Sequence, residues 1–156
     1  MLARAFALAI VLAACGSAPA ATAATLTPAP PHEAVALPDP NFTPGAVISV
    51  DAAKVCVSGY TKTVRVSLTI AERDQVNSHY HWTYAPGAQE YDHLIPLELG
   101  GHPTDPRNLW PEPLQGSTGA TRKDVVENRL HSEVCAGLIT LAAAQADIAT
   151  DWGSAP

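Results

Sequence analysis

The chain has 156 residues, room for one domain rather than two, and nine basic against fifteen acidic side chains give it a net charge of −6. That balance repels a phosphate backbone at long range. It excludes binding to nucleic acid through bulk charge and leaves only local basic groups or a bound cation to meet one.

The first fifteen residues, MLARAFALAIVLAAC, read as an export signal rather than part of a fold. Arg4 supplies the basic start, and Phe6 to Ala14 is too short an apolar run for a permanent membrane span. Leu12-Ala13-Ala14-Cys15 resembles a bacterial lipobox, which would lipidate Cys15. Ordinary signal-peptidase cleavage after Ala20 or Ala24 is the alternative. Loss of Arg4 takes the net charge to −7, eight basic against fifteen acidic groups. Residues 16–45, rich in Ala, Pro and Thr, bury too little apolar surface to offset chain entropy and predict a disordered tether, with Pro38 to Gly45 leading into folded structure.

The folded domain is expected over 46–153. Val47 to Val50 and Thr63 to Leu68 carry the β-branched residues of short strands, with a turn at Gly59-Tyr60 between them. Thr69 and Glu72 have capping-box spacing and predict a helix over 70–81. Tyr91 to Leu97 predicts a strand running into the Gly100-Gly101 turn. A second strand, Asn108 to Trp110, should be stopped by Pro111 and Pro113. Thr121 and Asp124 repeat the capping-box spacing before a helix reaching Cys135, whose buried stripe is Val126, Leu130 and Val134. Gly137 ends it, and Thr140 caps a last helix with Leu141, Gln145, Ile148 and Trp152 on one face. The class is α+β.

Cys15 is removed or lipidated, which leaves Cys56 and Cys135. In an exported protein these two are expected to form a disulfide. The residues with the clearest chemical meaning lie in YDHLIPLELGGHPTDPRNLWPEP, Tyr91 to Pro113. Asp92 and His93 stand together, Pro96 and the glycine pair follow, and Asn108-Leu109 comes fifteen positions after the histidine (108 − 93). An acid beside an imidazole suits a site where one side chain holds a metal ion and its neighbour moves a proton.

This pattern resembles the HNH nucleases, the ββα-metal finger superfamily, and the order strand, loop, strand, helix over 91–135 is the one that finger requires. Cys-Val-Ser-Gly-Tyr at 56–60, Asn108-Leu109-Trp110-Pro111 and the run Lys123-Asp124 to Cys135 look like small exported bacterial HNH-like proteins, over most of the chain from about 40 to 152. The resemblance implies a metal-dependent endonuclease that hydrolyses phosphodiester bonds of DNA, or of RNA, in the cell envelope or outside the cell. It makes His93 the general base, Asp92 a metal ligand, and Asn108 the residue that ties the loop and orients the imidazole. At the third motif position the sequence departs from the family. Asp124, then Glu127, then Asn128 are the candidates for a second ligand, and Lys123 or Arg122 for the scissile phosphate. The implied ion is magnesium first, with manganese or zinc as alternatives. No Cys-x-x-Cys pair provides a structural zinc site, so the disulfide would take over that stapling role.

A second class of function is open: a catalytically inactive ββα binding module of an envelope lipoprotein, for which the acidic balance and the altered third position speak. A zinc hydrolase built on His79, His81 and His102 lacks His-Glu-x-x-His spacing. The remaining expectations are a monomer and a membrane association made only through the lipid anchor. His79, His81, His102 and His131 are read as surface or packing residues, and Trp110 and Trp152 as core.

Overall fold

A computed structural model describes residues 37–82, 86–116 and 118–153. The expected signal, the cleavage sites, Cys15 and the tether up to residue 36 lie outside these described residues. Of the expected tether, residues 37–45 are described and already docked. Asp39 accepts from Phe42 N and Thr43 N, and the buried Thr43 donates to Leu109 O at 3.0 Å. Folded packing therefore begins before residue 46.

The fold is α+β. Two short helices, α1 (Ala52–Val55) and α2 (Tyr60–Val64), precede α3 (Ile70–Tyr80). Strands β1 (Gln89–His93) and β2 (Leu109–Pro113) pair antiparallel, and α4 (Ala120–Cys135) and α5 (Leu141–Asp151) complete the order. Helix α3 starts where its sequence dictates. Thr69 accepts from Glu72 N, and the Glu72 carboxylate accepts from Thr69 N, closing the capping box.

Several expected elements differ. Val47 to Val50 is not a strand: Val47 makes one isolated bridge to Gly101, and Ile48 N reaches Gly100 O instead of a neighbouring strand. Thr63 and Val64 end α2, and 65–69 pairs with nothing in a sheet, leaving Val66 exposed. Their β-branched composition favours strands only where a partner strand exists to complete the ladder. β1 is displaced toward the N-terminus because Pro96 has no N–H to give and Leu94 to Leu99 turns into the loop. β2 runs through Pro111 and Pro113, which a two-stranded sheet tolerates because one edge of each strand needs no donor. Gly119, not Thr121, caps α4; the Thr121 hydroxyl donates to Leu114 O at 2.8 Å.

One apolar core joins these pieces. Val55, Ile95, Leu99, Leu130, Val134, Leu141, Ala144, Ile148 and Trp152 pack together, with Val126 partly buried at the edge. The α5 face forms as its spacing requires. Its buried Gln145 donates to Ser49 O (2.9 Å) and Leu99 O (2.7 Å), which fastens the last helix to the chain ahead of α1 and to the loop after β1. The Cys56–Cys135 disulfide joins the end of α1 to the end of α4. A disulfide fits an oxidising, extracellular environment. Among the described residues, no helix is long and apolar enough to cross a membrane.

Candidate active site on the hairpin and the fourth helix

The loop between β1 and β2 is built around Asn108, which is fully buried. Its Oδ1 accepts from Ile95 N at 2.9 Å, while Nδ2 donates to Ile95 O at 2.9 Å and to His102 O at 3.1 Å. One amide thus closes both ends of the loop, the tying role expected of it. Gly101 is obligatory there, since a Cβ would lie 1.8 Å from Ile95 O. His102, expected at the surface, is half-buried: its Nδ1 accepts from Asp105 N (2.9 Å) and Thr104 N (3.3 Å), shaping the same loop.

That loop fixes His93. Its Nε2 lies 2.9 Å from Pro103 O. A carbonyl only accepts, so Nε2 carries the proton and Nδ1 carries the lone pair of the neutral ring. Burial lowers the pKa, and together with the neighbouring Lys123 and Arg65 charges it outweighs the Pro103 bond and Asp92, which act the other way. The ring is therefore neutral at pH 7, with Nδ1 able to take a proton. Arg65, which acts on His93 through its charge, is exposed.

Asp92 does not share that environment. Successive strand residues project to opposite faces. Asp92 therefore turns to α4, while the His93 ring turns to the loop. The register pairs Asp92 with Trp110 and Glu90 with Glu112, so all four side chains belong to one face of the hairpin. Against this face α4 sets Lys123, only 1 % exposed. Its ammonium donates to Asp92 Oδ2 at 2.6 Å, Glu127 Oε1 at 2.6 Å and His93 O at 2.8 Å. An ammonium has three protons, and all three are used. Glu112, also fully buried, has one oxygen 3.7 Å from the ammonium, and no donor hydrogen-bonds either of its oxygens.

Charges in this cluster are strongly shifted. Burial pushes Asp92 up, but the Lys123 charge and hydrogen bonds from Glu112 and Lys123 overcome it and hold Asp92 at about 2. Burial, and then the adjacent Asp92, raises Glu112 to about 10, so it keeps its proton at neutral pH. Glu127 is raised to about 7 by burial, against the pull of Lys123. Lys123 goes up despite burial, because Asp92, Glu127 and Glu112 surround it. It is a permanent cation.

These positions correct part of the expected ligand set. Lys123 is not available to a scissile phosphate, being buried with every proton engaged. Asp124, ranked first as second ligand, is exposed and outside the cluster; Asn128 Nδ2 donates to its backbone oxygen at 2.7 Å. Glu127 is the helix residue that meets Asp92, through the shared ammonium. Arg122 is exposed at the head of α4. The arrangement does not fit a divalent ion beside Asp92, because the space between the Asp92 and Glu127 carboxylates holds Nζ. A second set, Cys56, His131 and Cys135, brings three ligand atoms within 4.8 Å, as a metal ion would need, but both sulfurs are committed to the disulfide. His131 Nε2 also lies 3.1 Å from Val55 O and donates to it.

Sequence reasoning missed Lys123 and Glu112 as cluster members. The signal for Lys123 was its place on the stripe it shares with Val126, Leu130 and Val134, at i, i+3, i+7 and i+11. For Glu112 it was strand alternation with the core residue Trp110, hidden by the assumption that Pro111 ended the strand. His79 packs as expected, its ring stacked on Phe42 with centroids 5.0 Å apart. Comparison of the chain with protein-family models, curated proteins and solved structures found no match.

Proposed function

We propose that this domain is a ββα finger of the HNH type that hydrolyses phosphodiester bonds of DNA, or of RNA, outside the cytoplasm, with His93 as the general base. The observation that carries the reading is the held imidazole: Nε2–H is spent on Pro103 O, and the lone pair left on Nδ1 belongs to a ring that burial keeps neutral. A water bound at Nδ1 loses one proton to the ring as its oxygen attacks phosphorus; the P–O bond to the leaving alkoxide breaks, and the alkoxide takes up a proton from solvent. Asn108 supports this step by fixing the loop that presents Pro103 O. Arg65, exposed and acting on His93 by its charge, offsets the phosphate charge in an otherwise acidic domain. The metal dependence expected from the sequence resemblance has no place beside Asp92, where Lys123 fills the cation position. The expected lipid anchor at Cys15 remains part of the proposal, with the protein as a monomer held at a membrane only by that anchor.

The locked cluster favours one other reading, a binding module that keeps the finger without its chemistry. Labelled duplex DNA and RNA incubated with the processed protein in EDTA separate the two. Cleavage lost in His93→Ala supports the hydrolase. No cleavage under any condition, with or without divalent ions, supports the module. Cleavage retained in His93→Ala refutes His93 as the base.

A further inference from the structure

We infer that Lys123 is the resident cation of this site: its ammonium replaces a divalent ion among Asp92, Glu112 and Glu127, and its removal converts the cluster into a divalent-ion site. The inference needs only the geometry and is independent of whether nucleic acid is cut.

Three features set this ammonium apart from a surface ion pair. First, it is complete: three protons meet three acceptors at 2.6, 2.6 and 2.8 Å, and no donor is left over for a ligand. Second, it is buried: side-chain exposure is 1 % for Lys123, 22 % for Asp92 and 13 % for Glu127. A charge at that depth stays only where partners compensate its lost hydration. Third, the cluster holds one carboxyl group more than the two that the ammonium bonds. Glu112 is fully buried with an oxygen 3.7 Å from Nζ, and no donor reaches its carboxyl oxygens.

Three carboxyl groups from β1, β2 and α4 therefore surround one point that a single positive charge occupies. Hard oxygen ligands of this kind suit magnesium or manganese, which accept a few carboxylates and complete their shells with water. Here the chain supplies the cation from its own helix, at i relative to Glu127 at i+4. A divalent ion could enter only by expelling an ammonium with every hydrogen bond made. Lysine at 123 thus trades an exchangeable ion for a fixed one.

The test is manganese binding by the processed full-length protein. In the wild type, Mn²⁺ should produce no line broadening of the His93 ring signals beyond that seen in Asp92→Asn. Lys123→Met should bind one Mn²⁺ by calorimetry, on the order of a hundredfold or more tighter than the wild type, and Lys123→Met/Asp92→Asn should lose that binding. If Lys123→Met does not fold alone, it should recover its circular dichroism when refolded in Mn²⁺ and not in EDTA. Wild-type broadening that depends on Asp92 overturns the inference. So does a folded Lys123→Met that takes no ion, or an unfolded one that Mn²⁺ fails to rescue.

Discussion

Asn108→Ala is the substitution that most sharply separates a held imidazole from an incidental one. The asparagine, itself fully buried, makes two buried hydrogen bonds, to Ile95 N and Ile95 O, and a part-buried one to His102 O. Truncation leaves one backbone donor and two backbone acceptors unpaired, each at about 1–3 kcal/mol. Water entering the vacated space would re-pair the carbonyls more readily than the inward-facing Ile95 N–H. The expected loss is therefore about 3–5 kcal/mol rather than the full sum. Urea unfolding with the disulfide intact, followed by the fluorescence of the three tryptophans, measures it. The same change frees the loop that offers Pro103 O to His93, so burial of the ring is relieved and its pKa should rise back toward the ordinary histidine value. A loss below about 1 kcal/mol with an unchanged His93 titration would refute the idea that this amide holds the imidazole.

The other expectations follow from single distances or signs. Gly101→Ala should cost several kcal/mol, on the order of 4, because its Cβ meets Ile95 O at 1.8 Å, whereas Gly137→Ala meets no atom and should lose about 1 kcal/mol to its positive φ alone; thermal unfolding compares them. The Cys56–Cys135 bridge spans a sequence separation of 79, so the double serine variant should lose about 4–5 kcal/mol in urea unfolding. Glu112 keeps its proton in the folded state up to about 10, while the unfolded chain releases it near 4.5. Its contribution is thus complete below about 4.5 and declines as pH rises toward 10, and Glu112→Gln should flatten the stability profile over that window. Arg65→Ala should lower kcat/KM on nucleic acid on the order of tenfold without changing the unfolding midpoint.

What the sequence made legible was mostly local. Capping at Thr69 and Thr140, the stripe of Leu130 and Val134, and the buried face of α5 follow from spacing that one helix satisfies by itself. The disulfide followed from parity and export, and the tie made by Asn108 from the resemblance to the HNH motif. Strands at 47–50 and 63–68 failed because strand formation depends on a partner that local composition does not reveal. In the site, the Asn108 tie was legible because the motif that the sequence resembles sets an asparagine at that place. Lys123 was misread because a lysine is normally solvated, and only the tertiary meeting of Asp92, Glu112 and Glu127 makes its burial favourable.

A crystal of the wild-type protein soaked in Mn²⁺ and recorded at the manganese edge addresses the site most directly. The account predicts no anomalous peak beside Asp92, with the Lys123 ammonium between Asp92 and Glu127 and the His93 ring bonded to Pro103 O. An ion on the Asp92 carboxylate, with Lys123 displaced from it, would contradict the account.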